Sequence, residues 1–138
     1  MKIKLIDHGY KKLSLEPKRA HYNDSGADVF SMEDITVKPH SVVKINTGVG
    51  VYLPDGYDIT VSNKSGMSNN GIWVSNSPVD AGYTGPIHAI IGNLTDELYE
   101  IKRGDKVGQF VVRPVIYAEY VEELGDERGD AGFGSTGK

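Results

Sequence analysis

The stretch "VVKINTGVGVYL", residues 42–53, decides the fold class. Val43, Ile45, Val49, Val51 and Leu53 fall on one side of a two-residue repeat, with Lys44, Asn46 and Tyr52 on the other, which is the period of a strand and not of a helix. The same alternation recurs outward from it, at "IKLI" (3–6), "DITV" (34–37), "YDITV" (57–61), "GIWVSN" (71–76), "PIHAIIG" (86–92), "LYEI" (98–101) and "VGQFVVRPVIY" (107–117). Turn formers such as "KPH", "LPDG", "NLTDE" and "KRGD" separate these runs. Many short strands at close spacing predict an all-β barrel or sandwich. Long helical patterns and internal repeats are absent, and the best site for a short helix is "KSGMSNNG" (64–71). The strand signal fades after about Tyr120, so residues 1–124 read as a β core and 125–138 as a mobile tail.

A length of 138 residues argues for one domain with one core. No apolar run approaches the roughly 18 residues of a membrane span, and "MKIKLIDHGY" lacks a signal-peptide core, so the expectation is a cytoplasmic protein without membrane contact. Zero cysteines exclude disulfides, thiol catalysis and thiolate metal sites. The four histidines lack metal-type spacing and read as surface or packing residues. A net charge of −4 argues against direct nucleic-acid binding. An anionic ligand would therefore need a few local cations, or a bound metal.

Five polar, glycine-bearing stretches interrupt the strands: "DSGADVF" (24–30), "NKSGMSNNG" (63–71), "SPVDAGYTG" (77–85), "GDKVGQF" (104–110) and the tail. Each alone is ordinary turn chemistry, but together they supply the parts of a site. Asp28 and Asp80 could position a metal's waters or a nucleophilic water. Ser65, Gln109 and glycine-exposed amides could hold phosphate oxygens, while Tyr83 and Phe133 could bracket a sugar and a base. The ending "GFGSTGK" imitates a phosphate-binding P-loop, yet that motif needs a helix after its lysine, and Lys138 is the last residue.

Order and wording go further than inventory. "PKRAHYNDSGADVF", "KSGMSNNGI", "VDAGYTG", "GDKVGQ" and "RGDAGFGSTG" resemble, in order, the five motifs of the trimeric dUTPase (dUTP diphosphatase) family, over roughly residue 18 to the end. The tail match is the most specific. The resemblance implies a jelly-roll-like β-barrel, a homotrimer with sites shared between subunits, and hydrolysis of dUTP to dUMP and pyrophosphate, which limits uracil in DNA and supplies dUMP for dTMP synthesis. It casts Asp80 as the base that orients the attacking water and Tyr83 as the ring under the deoxyribose. Lys64, Ser65, Gly66 and Gln109 would meet phosphates, and Asn76 the uracil edge. Asp28 would stand behind the waters of a Mg²⁺ held mainly by the triphosphate. Arg128 would pair with the terminal phosphate, Phe133 would stack on uracil, and Gly134, Ser135 and Thr136 would cover the phosphates as a lid.

Three departures stand out. Family members usually carry Arg where this chain has Lys64, a Lys that often closes the second motif is here Asn69 or Asn70, and "NSPVD" is about two residues shorter than the usual third motif. The site is thus one positive charge poorer. Two alternatives accompany the main reading: a nucleotide-binding regulatory module without turnover, and a dCTP deaminase-like enzyme on the same scaffold. "PIHAIIGN" lacks the carboxylate a deaminase would need.

Overall fold

A computed structural model describes residues 1–125. The strands are β1 (Lys4–Asp7), β2 (Ala27–Phe30), β3 (Ile35–Val37), β4 (Val42–Tyr52), β5 (Tyr57–Ser62), β6 (Ile72–Val74), β7 (Ile87–Asn93), β8 (Tyr99–Ile101) and β9 (Lys106–Pro114), with short helices α1 (Tyr10–Leu13) and α2 (Ser65–Asn69). All pairings are antiparallel, in sheets ordered β1-β4-β7-β6, β2-β9-β5 and β3-β8, and together they make the expected jelly-roll-type all-β fold.

The alternation has its physical cause in the core. Along β7, Ile87, Ala89, Ile91 and Asn93 point inward, where they meet Ile45, Val49 and Val51 of β4 and Val29, Ile59, Val107 and Phe110 of the facing sheet. Each fully buried Ile contributes about 1.5–3 kcal/mol of apolar transfer. β4 departs from strict alternation after Asn46: its register against β7 shifts between Asn46 and Val49, and Thr47 to Val51 are buried throughout. Gly48 sits at this shift with φ 74°, and a Cβ there would stand 2.6 Å from Met32 Sδ and 2.9 Å from the Tyr10 amide nitrogen. Glycine lets α1 and Met32 lie against the strand.

Three sequence expectations are corrected. "DSGADVF" is not only loop, because Ala27–Phe30 is β2, held by β9. α1 is an unpredicted helix, started by the Asp7 carboxylate, which accepts the Gly9 and Lys11 N–H groups at 2.8 and 3.2 Å. The last strand ends at Pro114 and not near Tyr120: the chain turns to cap the β4–β5 corner, with Val115 N–H donating to Gly56 O and Gly56 N–H to Tyr117 Oη, both at 2.8 Å. On the edge strand β6, Trp73 faces outward and is 50% exposed. No helix among the described residues is long and apolar enough to cross a membrane.

Candidate active site

One group of candidates gathers at the end of the β2-β9-β5 sheet. Asp28 on β2 stands opposite Gln109 on β9, which stands opposite Ser62, the last residue of β5. Asn63 and Lys64 continue from β5 into α2, which begins at Ser65 and Gly66. Gln109 Nε2 donates to Asn63 O at 2.8 Å, and Asn63 Oδ1 accepts the Val74 N–H at 2.6 Å, so the approach to α2 is fixed from both sides. Gly26 makes this possible, since a Cβ there would stand 2.3 Å from Gln109 Oε1. Gly66 is different: a Cβ would meet open space, and no side chain caps the first turn of α2.

Asp28 is buried at the centre of the group. Lys64 donates to its Oδ1, and Lys106 Nζ lies 3.4 Å from its Oδ2. Burial pushes the carboxyl up, but the Lys64 hydrogen bond and the charges of both lysines outweigh it and hold Asp28 below the ordinary carboxylate range. Lys106 belongs to "GDKVGQF", a stretch the sequence reading used for its glutamine alone. The missed signal was a lysine at the head of the strand that pairs with Asp28's own.

A second group lies at the other end of β5. Val79 exchanges two backbone hydrogen bonds with Ile59, at 3.1 and 2.7 Å, and the next residue, Asp80, accepts the Tyr83 N–H on its carbonyl at 3.2 Å to form a turn. The Asp80 side chain is exposed and borders a hollow of about 180 Å³ with Asp55, Tyr57, Asp58, Val115 and Tyr117. Asp58 is already occupied by Arg113, whose Nε and Nη2 each lie 3.3 Å from a carboxylate oxygen. Tyr83 is half exposed, and its hydroxyl donates to Pro86 O at 2.9 Å. Gly85 leaves room for that ring, because a Cβ would stand 2.7 Å from its oxygen.

His8, which reads from sequence as a surface or packing histidine, has a definite partner. Its Nε2 donates to Thr84 O at 2.8 Å, tying β1 to the loop that carries Tyr83. Gly50 provides the space: a Cβ there would stand 2.8 Å from both His8 Cδ2 and Thr84 O. Asn76 opens this loop with both ends of its amide engaged, Nδ2 donating to His88 O at 2.7 Å and Oδ1 accepting the Ile90 N–H at 2.9 Å.

The structure thus brings together Asp28, Lys64, Ser65, Gly66 and Gln109, and it places Asp80 and Tyr83 elsewhere. Ile59 to Lys64 is five residues of extended chain, or roughly 16 Å. Among the described residues no three His, Asp or Glu side chains form a metal-holding group. With lysines on both oxygens, Asp28 still has acceptor directions for water, so it suits a cation's hydration shell better than the cation itself. Arg128, Phe133, Gly134, Ser135 and Thr136, with the lid segment 125–138 from residue 126 on, lie outside the described residues.

The family model for dUTPase matches residues 14–137. The deoxyuridine 5'-triphosphate nucleotidohydrolase of Ehrlichia canis is 41% identical, the match covering 98% of this chain and 94% of that protein. That of Clostridium tetani is 38% identical over 100% and 97%. Among solved structures, the dUTPase from phage phi11 of S. aureus has a TM-score of 0.81 at 26% identity, covering 91% of this chain and 99% of that one. A mutant of the same phage enzyme, at TM-score 0.80, 25% identity and coverages of 91% and 99%, coordinates a structural Mg(II) ion. The motifs in order, the jelly-roll frame and these matches lead to one statement: the chain belongs to the dUTPase family.

Proposed function

We propose that this chain hydrolyses dUTP to dUMP and pyrophosphate at sites that form between copies of itself. Each site uses the Lys64 group of one protomer and the Asp80 turn of another. The observation that carries the reading is the separation of the two groups along β5, roughly 16 Å of extended chain. A water beside Asp80 and a phosphate beside Lys64 of the same protomer cannot both meet one α-phosphorus, whereas two protomers can bring them face to face. The homotrimer expected from sequence supplies that arrangement.

The roles follow from position. Asp80, exposed on its turn, takes a proton from the attacking water and aims it in line. Lys64, with the hydroxyl and amides of Ser65 and Gly66 and the backbone at Gln109, binds phosphate oxygens and offsets their charge. Mg²⁺, when bound with the triphosphate, supplies further charge neutralisation, and Asp28 would hold its waters. Tyr83, fixed through Pro86 and Gly85, stands against the sugar where a 2′-hydroxyl would collide. Asn76 spends on His88 and Ile90 the one edge of its amide that sets an N–H beside a carbonyl oxygen, so it fixes the head of the loop, whose backbone groups would read the C4 carbonyl and N3–H of uracil. Arg128, Phe133, Gly134, Ser135 and Thr136 complete the reading as a lid, on the strength of sequence alone.

Complementation tests the shared site. Asp80→Asn and Lys64→Met proteins, each inactive alone, are unfolded, mixed and refolded together. Random assembly gives roughly one quarter of sites with both intact residues in facing protomers, and about that share of activity returns. If the mixture stays as inactive as its components, the site lies within one protomer and the proposal fails.

A further inference from the structure

The sequence leaves the phosphate group one positive charge poor, with Asn69 and Asn70 where a lysine often closes the motif. The structure brings in a second lysine from another strand. Lys106 opens β9 across from Phe30 and reaches Asp28 Oδ2, while Lys64 takes Oδ1. The side chains grade outward, Asp28 at 10% exposure, Lys64 at 29% and Lys106 at 55%. Lys64 therefore has two claimants, a buried carboxylate and the arriving phosphate. Removing the only counter-ion of a buried carboxylate is strongly unfavourable, because an uncompensated charge stays behind in a poorly solvated place. With Lys106 present, Asp28 is never left alone.

We propose that Lys106 is a positioning residue: it keeps Asp28 paired while Lys64 passes from that carboxylate to the substrate's phosphate. The inference rests on the reading of Lys64 as a phosphate ligand. Lys106 acts through Asp28 and need not touch the nucleotide. A flexible stem bearing a point charge suits the task, and arginine at the same place should serve as well.

The test is calorimetric titration of the full-length protein with an α,β-imido analogue of dUTP and Mg²⁺, with thermal unfolding to confirm that each variant is folded. Lys106→Met should weaken binding roughly tenfold, as expected for losing one charge-assisted partner, and Lys106→Arg should restore it. Asp28→Asn removes the competitor for Lys64, so adding Lys106→Met to that background should change the affinity less than about twofold, a double-mutant coupling that identifies indirect action. A loss that persists undiminished in the Asp28→Asn background would mean that Lys106 meets the ligand itself, and would overturn the proposal. So would wild-type affinity in Lys106→Met while Lys64→Met binds weakly. If Lys64→Met binds like wild type, the phosphate reading of Lys64 has failed and the handover fails with it.

Discussion

The two ends of β5 are built on opposite plans. At the Ser62 end the clustered polar groups are locked into the sheet: Asp28 is buried and doubly paired, Gln109 is bonded to Asn63, and a glycine cut-out keeps the glutamine in place. At the Tyr57 end Asp80 stands exposed on a turn whose fixed points are the backbone pairing of Val79 with Ile59 and the His8 ring's bond to the Thr84 carbonyl. Under the proposed function, the contrast means that one protomer prebuilds the binding half of the chemistry and presents the reactive half outward. Groups that offset the charge of a triphosphate gain from rigidity and low dielectric. A base that must meet a neighbour's phosphate has to be on the outside.

The largest expected effect breaks the comparison at Asp80. Asp80→Asn should lower turnover by about 10² to 10⁴, the usual worth of a general base, and leave analogue binding and thermal stability near wild type because the residue is exposed. Turnover close to wild type in a quenched pyrophosphate assay would remove Asp80 from the reaction. Next comes Gly26→Ala at the locked end. The new methyl would strike Gln109 and free it from Asn63, and overpacking of this kind costs about 1–3 kcal/mol. Urea unfolding should show that loss together with a raised KM, and an unchanged KM would mean that Gln109 does not shape the phosphate end.

A smaller effect is expected at His8. His8→Ala removes one hydrogen bond, about 1 kcal/mol, from the Tyr83 loop, and the preference for dUTP over UTP should fall by up to about fivefold. His8→Gln, which can also donate to Thr84 O, should recover most of it. Unaltered discrimination in the alanine variant would show that Val79 alone sets the loop. The smallest effect is a pH slope. Burial, and then the charge of Lys44, lowers the pKa of His88 below its ordinary value, so the unfolded chain binds the proton more readily than the native one. Stability is then complete above about pH 6.5 and declines as pH falls below it. Asp28, held low by its lysines, keeps its contribution until the pH drops beneath the ordinary carboxylate range. His88→Gln should flatten the fall in Tm between pH 7.5 and 5.5, and an unchanged slope would assign it to other groups.

Most of the fold was legible because strand period depends on which face is buried, and one face of β4 and β7 is buried along its length. β2 was missed because its four residues follow Asp24-Ser25-Gly26 and carry a buried charge, so local propensity argued for a turn while tertiary pairing with β9 made a strand. The overlong last strand has a similar cause. Apolar residues continue to Ile116 and Tyr117, but they are 90% and 67% exposed, and no period in the sequence records which apolar residues find a partner. The candidate site residues were named from wording, residue by residue. The contacts of Lys106 and His8 were not legible, since each meets a neighbour distant in sequence, Asp28 and Thr84, that only the sheet brings near.

Trp73, the chain's single tryptophan, gives the molecule a built-in optical probe. It stands half in water on an edge strand, three residues past Asn70, the C-cap of α2. An indole in that setting emits at long wavelength, and covering it with apolar surface moves the emission toward the blue. Dilution of the native protein therefore reads, without a label, whether another copy covers the β6 edge: a long-wavelength maximum at every concentration leaves that edge wet, a blue one at every concentration keeps it covered, and a shift with a defined midpoint reports the dissociation constant of the contact that hides it.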